Sequence, residues 1–97
     1  MSTKLVRVEF EVFGTVQGVF FRKFTQKKCL ELDLKGWCRN TSTNTVKGVL
    51  EGEVDKVQVM KKWLQEEGSP KSKIIKTVFS DAEPIDRYSF NTFEIRR

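Results

Sequence analysis

In the first third of the chain, apolar residues first recur at every second position and then at every third or fourth position, as in a helix. Apolar and polar residues alternate from Leu5 to Phe13, which is typical of a half-buried strand. The apolar face of this strand consists of Val6, Val8, Phe10 and Val12. From Phe21 the spacing becomes three to four residues, which predicts a helix ending near Asp33. Its buried stripe consists of Phe21, Thr25, Cys29 and Leu32.

Two strands joined by a short turn are predicted next. They run from Lys35 to Asn40 and from Thr45 to Glu53, and the Thr-Ser-Thr-Asn segment between them has turn composition. The second strand places Val46 and Leu50 on one face. Lys47, Val49 and Glu51 alternate with these two residues. We expect the pair to form a hairpin.

A second helix and two closing strands complete the pattern. Asp55 is a candidate N-cap, with Gln58 as a capping-box partner three residues later. The buried stripe of this helix consists of Val57, Met60 and Leu64. Gly68 ends the helix. The remaining segments are a strand from Ile74 to Ser80, a loop from Glu83 to Asp86 and a short strand from Phe93 to Arg96.

The order of elements is β-α-β-β-α-β with a short additional strand at the end. This order predicts an α+β, ferredoxin-like split βαβ fold, with two helices on one face of a mostly antiparallel sheet. A length of 97 residues suits one domain, so we expect residues 1–97 to form a single unit. The eight Phe residues are expected mainly in the core.

The composition excludes several classes of chemistry. The chain has 18 Lys+Arg, 13 Asp+Glu and no His, giving a net charge of +5. Without His there is no Ser/His/Asp or Cys/His pair and no imidazole base. Cys29 and Cys38 do not form a CxxC, and we interpret them as reduced thiols. Because no secretory signal or membrane-spanning run is visible, we predict a cytoplasmic protein without a membrane partner.

The segment between the first strand and the first helix suits an anion. Gly14 and Gly18 lie in a loop that leads into a helix N-terminus, where backbone N–H groups and the helix dipole favour a phosphate or carboxylate. Arg22 in the first helical turn costs about 0.3–1 kcal/mol unless an anion lies between it and the dipole. The alternatives are a simple tight turn and a solvated arginine paired with Glu9 or Glu11. Neither GxxxxGK[ST] nor GxGxxG is present, so a nucleotide is not implied.

Five motifs together resemble the acylphosphatase family, in the same order and at the same spacing. They are Gly14-Thr15-Val16-Gln17-Gly18-Val19-Phe20-Phe21-Arg22, Gly36-Trp37-Cys38-Arg39-Asn40-Thr41, Gly68-Ser69-Pro70, Phe79-Ser80 and Phe93-Glu94-Ile95. The resemblance implies hydrolysis of the carboxyl-phosphate anhydride of acyl phosphates, giving a carboxylate and inorganic phosphate. It also implies a ferredoxin-like domain that uses no metal and no organic cofactor.

The resemblance further implies the site residues. Arg22 would bind the phosphate and Asn40 would position the water, with Thr41 as a secondary candidate. Apart from the resemblance, an Asn at the end of a strand more often serves the turn than a reaction. The backbone N–H groups of a phosphate cradle would come from Thr15, Val16, Gln17, Gly18, Val19 and Phe20.

Such a reaction needs no histidine. The leaving group is a carboxylate whose conjugate acid titrates near 4–5, as carboxylic acids do, so no general acid is required. A carboxamide can orient the water, and a phosphate oxygen of the substrate can take its proton. The expected partners are an acyl phosphate as substrate and inorganic phosphate as product and competitive inhibitor, with the protein acting as a monomer.

Two other functions remain as alternatives. One is a non-catalytic domain that senses phosphate or another anion. The other is an RNA-binding module on the same fold, but its sheet would carry aromatic residues in the third strand, and 45–53 contains none. We therefore expect no nucleic-acid partner.

Overall fold

Two helices and a six-stranded sheet make up residues 4–96, the part of the chain that the computed structural model describes. The elements in chain order are β1 Leu5–Thr15, α1 Phe21–Glu31, β2 Lys35–Asn40, β3 Val46–Glu53, α2 Val54–Glu66, β4 Lys73–Phe79, β5 Glu83–Ile85 and β6 Phe93–Arg96. Neither helix in this part is long and apolar enough to cross a membrane.

The sheet has the strand order β4-β1-β3-β2-β6, and β5 pairs with the free end of β1. All pairs are antiparallel except β2 with β6. Helix α1 packs on β2 and β6, α2 packs on β1, β3 and β4, and the two helices contact each other. The predicted α+β, ferredoxin-like fold is therefore confirmed.

The core lies between the sheet and the helices, and the predicted faces supply it. The four residues of the predicted apolar face of β1 are buried, as are those predicted for α2, which Trp63 joins. In α1, Phe21, Thr25 and Cys29 are buried while Leu32 is only half-buried beyond the helix end. The Phe21 and Trp63 rings lie 5.8 Å apart between centroids and join the two helices.

Helix α2 begins earlier than the capping pattern predicted. It starts at Val54, directly after β3, and its N-cap is Glu53 without a side-chain hydrogen bond. Asp55 lies in the first turn, where its Oδ1 accepts a hydrogen bond from the Lys56 N–H at 3.0 Å. The prediction of Asp55 as N-cap was wrong because no loop separates β3 from the helix. The acidic side chain of Asp55 in the first turn is still stabilised by the positive end of the helix dipole.

The segment predicted as the loop Glu83 to Asp86 contains the short strand β5. Strand β4 pairs with β1 only from Phe10 to Thr15, which leaves the N-terminal half of this edge open. β5 fills it, with Ile85 opposite Leu5 and Glu83 opposite Arg7. Pro84 has no N–H to donate, but an edge strand tolerates this.

Glu51 alternates with Val46 and Leu50 along β3, and it is nonetheless completely buried. The segment 86–92 crosses the side of the sheet away from the helices, and the backbone N–H of Ser89 donates to Glu51 Oε1 at 2.7 Å. Arg7 pairs with the other oxygen, with 2.6 Å between Nη2 and Oε2. Glu51 therefore joins β3, β1 and the covering segment.

Candidate functional site

The candidate site lies where three strands and one helix end at the same edge of the sheet. β1 and β2 both pair antiparallel with β3, so they run in the same direction, and β6 runs parallel to β2. The C-terminal ends of these three strands therefore lie together. Helix α1 begins there, after the loop that follows β1.

The loop of residues 16–20 is held by one buried side chain and two left-handed positions. Val16 is 1% exposed and anchors the loop in the core. Gly18 has φ of 75°, and Phe20 has φ of 58° and ψ of 25°. The Phe20 carbonyl accepts the first helical hydrogen bond from the Phe24 N–H at 3.0 Å, while the side chain of this N-cap residue makes none. Residues with such alternating backbone conformations direct N–H groups into a concave, anion-binding surface.

The loop is shorter than predicted, because β1 continues through a bulge to Thr15. The pairing with β4 shifts between Phe13 and Gly14, and Thr15 lies opposite Lys73. Gly14 has φ of 137°, and a Cβ at this position would lie 2.0 Å from the Lys73 carbonyl oxygen. Glycine is thus required at the bulge, and Thr15 stands at the end of a strand rather than in the loop.

The side chain of Gln17 connects the loop to the hairpin between β2 and β3 through two hydrogen bonds. Its Nε2 donates to the carbonyls of Thr41 at 3.0 Å and Thr45 at 2.9 Å. The Thr45 hydroxyl in turn donates to Glu11 Oε2 at 2.7 Å, and the hydroxyls of Thr41 and Thr45 are 2.6 Å apart. Sequence reasoning missed this network, since no local pattern joins Gln17 to a turn 24 residues later.

One cavity of about 380 Å³ opens at this edge, and its size falls in the range of small-molecule sites. Arg22 and Asn40, which are 18 positions apart in the chain, both line it. The other lining residues are Val16, Gly18, Phe20, Phe21, Lys23 and Ile95. Thr15, Gln17, Val19 and Thr41 are not part of the lining. Phe21, Lys23 and Ile95 were not predicted as site residues, and Ile95 could be placed here only through the parallel pairing of β6.

Arg22 is half-buried at the start of α1 and faces the cavity. Its Nη1 donates to the Arg96 carbonyl oxygen at 3.2 Å. Within residues 4–96 the guanidinium has no carboxylate within ion-pair distance, and neither Glu9 nor Glu11 pairs with it. The guanidinium retains further donors for an anion in the cavity.

Asn40 is the last residue of β2, opposite Val46. Its Oδ1 is buried and has no hydrogen-bond partner among the residues that the structure describes. A buried amide oxygen without a donor is uncommon in proteins. The unused acceptor therefore suits a donor that enters the cavity.

The two thiols near the site remain protonated at neutral pH. Burial raises the pKa of Cys38 to about 12, against the opposing effect of the positive charge on Arg22. Burial also raises the pKa of Cys29, and the neighbouring Cys38 adds to the rise. Because the thiolate is the nucleophilic form, burial disfavours either thiol as a nucleophile. The arrangement as a whole offers an anion site, a guanidinium and a free carboxamide acceptor, without a side-chain nucleophile.

Comparison with known proteins gives a consistent result. A family model described as acylphosphatase matches residues 8–95. Acylphosphatase-1 of Xenopus tropicalis is 51% identical over 90 residues, covering 93% of this chain and 92% of the relative. Human acylphosphatase-2 is 45% identical over 98 residues and covers 99% of both chains. The structure of an acylphosphatase from Coxiella burnetii has a TM-score of 0.84 at 34% identity, covering 96% of this chain and 94% of that one. The chain thus belongs to the acylphosphatase family and is a hydrolase of acyl phosphates.

Proposed function

We propose that the phosphoryl group of the acyl phosphate binds in the cavity at the start of α1, where Arg22 and the loop amides hold it and Asn40 positions the attacking water. The observation that carries this proposal is the presence of Arg22 and Asn40 in the lining of one cavity. The cradle consists of backbone N–H groups of the loop between β1 and α1, of which Val16, Gly18 and Phe20 line the cavity. Thr15 and Val19 act by supporting this loop.

Arg22 carries the electrostatic part of the reaction. Charge spreads over the phosphoryl oxygens in the transition state, and a guanidinium can donate two parallel hydrogen bonds to them. The Arg96 carbonyl accepts from Nη1 and limits the rotation of the side chain. A donor held in place before the reaction avoids the cost of reorientation during it.

Asn40 orients the nucleophile. Its free Oδ1 accepts a hydrogen bond from the water, and the amide nitrogen can donate to a phosphoryl oxygen. The water then attacks phosphorus and its proton passes to a phosphoryl oxygen of the substrate. The P–O bond to the carboxylate breaks, and this group leaves without protonation because it is a weak base at neutral pH.

This mechanism accounts for a phosphoryl-group hydrolase without histidine. Alignment and electrostatic stabilisation provide most of the catalysis in phosphoryl transfer, so a side-chain base is not essential. Neither a metal nor an organic cofactor is required in the proposed steps. Inorganic phosphate occupies the same cradle and inhibits competitively.

The protein acts as a monomer in the cytoplasm under this proposal. All the groups assigned to the reaction come from one chain, and they line one cavity of that chain. Both thiols are buried and unpaired, which suits a reducing compartment.

Hydrolysis of benzoyl phosphate, followed by absorbance in the presence of EDTA, tests the proposal. We expect Arg22→Gln to lower kcat about 10²–10³-fold and to weaken inhibition by inorganic phosphate. Asn40→Ala should lower kcat by a similar factor with little change in that inhibition. Arg39→Gln and Asn91→Ala are matched controls, because both residues are exposed and neither lines the cavity.

Two results would contradict the assignment. Phosphate inhibition that is unaltered in Arg22→Gln would remove Arg22 from the phosphate site. Turnover that is lost on chelation would refute the metal-free mechanism.

A further inference from the structure

Phe20 is an unusual residue for the start of a helix. Its side chain is 72% exposed, so most of the ring gains nothing from burial. Single exposed apolar residues are common, and Ile75, at 81% exposure on the edge strand β4, is an example. Phe20 differs from Ile75 in its backbone conformation and in its position.

The backbone of Phe20 is left-handed, with φ of 58° and ψ of 25°. This conformation is unfavourable for a residue with a Cβ, and it is found mainly at Gly, Asn and Asp. Strained positions of this kind concentrate at functional sites. A bulky, exposed side chain at such a position does not contribute enough to stability to explain its presence.

Phe20 lines the same cavity as Arg22 and Asn40, together with the half-buried Ile95. The acyl group of the substrate is joined to phosphorus through a single oxygen. A phosphoryl group beside Arg22 therefore brings the acyl group to the remaining wall of this cavity. That wall is apolar at Phe20 and Ile95 and is positively charged at Lys23.

We infer that Phe20 and Ile95 form an acyl-group subsite, and that the preferred substrates carry an apolar, above all aromatic, acyl group. The inference rests on the proposed position of the phosphoryl group. The exposed ring offers a face or edge for stacking, and the left-handed backbone brings this ring beside the cradle while its own N–H contributes to the cradle. Phe20 thus contacts the acyl group through its ring and the phosphoryl group through its backbone N–H.

The test compares benzoyl phosphate with acetyl phosphate by the ratio of their kcat/KM values. A defect in the cradle lowers both values by the same factor and cancels in the ratio, whereas loss of the subsite does not. We expect Phe20→Ala to lower the ratio about three- to tenfold, the factor that corresponds to one aromatic pair. Ile95→Ala should lower it less, and Phe20→Leu should retain part of it.

Phe24→Ala is the matched control. Phe24 is an exposed phenylalanine one turn further along α1 and is not part of the cavity lining, so its replacement should leave the ratio unchanged. A ratio that Phe20→Ala leaves within twofold, or that Phe24→Ala lowers equally, would overturn the inference. A preference for succinyl phosphate over benzoyl phosphate that Lys23→Gln abolishes would also overturn it, in favour of an anionic acyl group at Lys23.

Failure of the proposed function looks different. Neither acyl phosphate would be hydrolysed, or Arg22→Gln would be as active as the unaltered protein. If both substrates are hydrolysed and Phe20→Ala leaves the ratio of their kcat/KM values unchanged, only the acyl-group subsite is refuted.

Discussion

Replacing Gln17 by methionine tests whether the loop and the β2–β3 hairpin form one unit. The change removes two hydrogen bonds, from Nε2 to the carbonyls of Thr41 and Thr45, and keeps a side chain of similar length. Neutral hydrogen bonds contribute about 1 kcal/mol each, so the loss should be about 2 kcal/mol. No carbonyl is left without a donor, because Asn44 N–H still bonds to the Thr41 carbonyl and Thr41 N–H to that of Thr45. The loss in the free energy of unfolding therefore includes no penalty for an unpaired buried carbonyl.

Thermal unfolding and a turnover assay measure the two consequences. A loss of about 2 kcal/mol in a domain of this size lowers Tm by roughly 10 °C. Because Asn40 stands directly before the hairpin turn, release of the turn from the loop should also lower kcat at least about tenfold, since small misplacements of a reacting group are costly.

A series of glutamines supplies the controls. Gln26 donates one side-chain hydrogen bond, to the Phe93 carbonyl at 3.0 Å, whereas Gln58 is exposed on α2 and has no such bond within residues 4–96. The destabilisation should therefore follow the order Gln17→Met, Gln26→Met, Gln58→Met. If Gln17→Met is no more destabilising than Gln58→Met, the coupling between loop and hairpin is refuted. The coupling is also refuted if the Tm of Gln17→Met is lowered while its kcat is unchanged.

Three further predictions concern stability. The folded state raises the pKa of Cys38 from 9.0 to about 12, so it binds a proton that the unfolded state loses, and stability should fall by about 2–3 kcal/mol from pH 8 to 11; urea unfolding should show a shallower fall in Cys38→Ala. Arg7→Met leaves the buried carboxylate of Glu51 without its cation and should cost about 2–4 kcal/mol, with Arg87→Met as an exposed control, and equal effects would contradict the pairing. Phe20→Asn should raise the free energy of unfolding by up to about 1 kcal/mol, because asparagine tolerates the left-handed backbone; a destabilised variant would show that the ring supports the fold.

The elements that depend on local pattern could be predicted from the sequence. The alternation in β1 fixed its buried face, and the change of period at Phe21 gave the first residue of α1 correctly. Both signals arise from side chains that lie on one face of a single element. No knowledge of the neighbouring elements was needed.

The errors lie where tertiary contacts decide the structure. The burial of Glu51 depends on segment 86–92 crossing the sheet, and β5 forms because β4 leaves one edge of β1 unpaired. The eight Phe residues were expected mainly in the core, but only Phe10, Phe21 and Phe93 are buried, while Phe20 and Phe24 are exposed. Such arrangements involve residues far apart in the chain, which no local pattern records.

The candidate site was predictable only in part. The glycines and Arg22 pointed to an anion from physical argument alone, whereas Asn40 entered through the resemblance to a family. Its presence in the same cavity as Arg22 follows from the parallel direction of β1 and β2, which depends on β3 lying between them. To predict that Ile95 lines the cavity, one would also need to know that β6 pairs with β2.

The participation of Ile95 in the cavity has a consequence for synthesis on the ribosome. The loop that follows β1 leaves the ribosome early, whereas β6 becomes available only after almost all of the preceding chain. The carbonyl that restrains Arg22 also belongs to β6. A nascent chain that already contains both Arg22 and Asn40 therefore lacks one wall of the cavity and the restraint on the arginine. Turnover should begin only when β6 docks beside β2, so that the onset of activity reports this docking step.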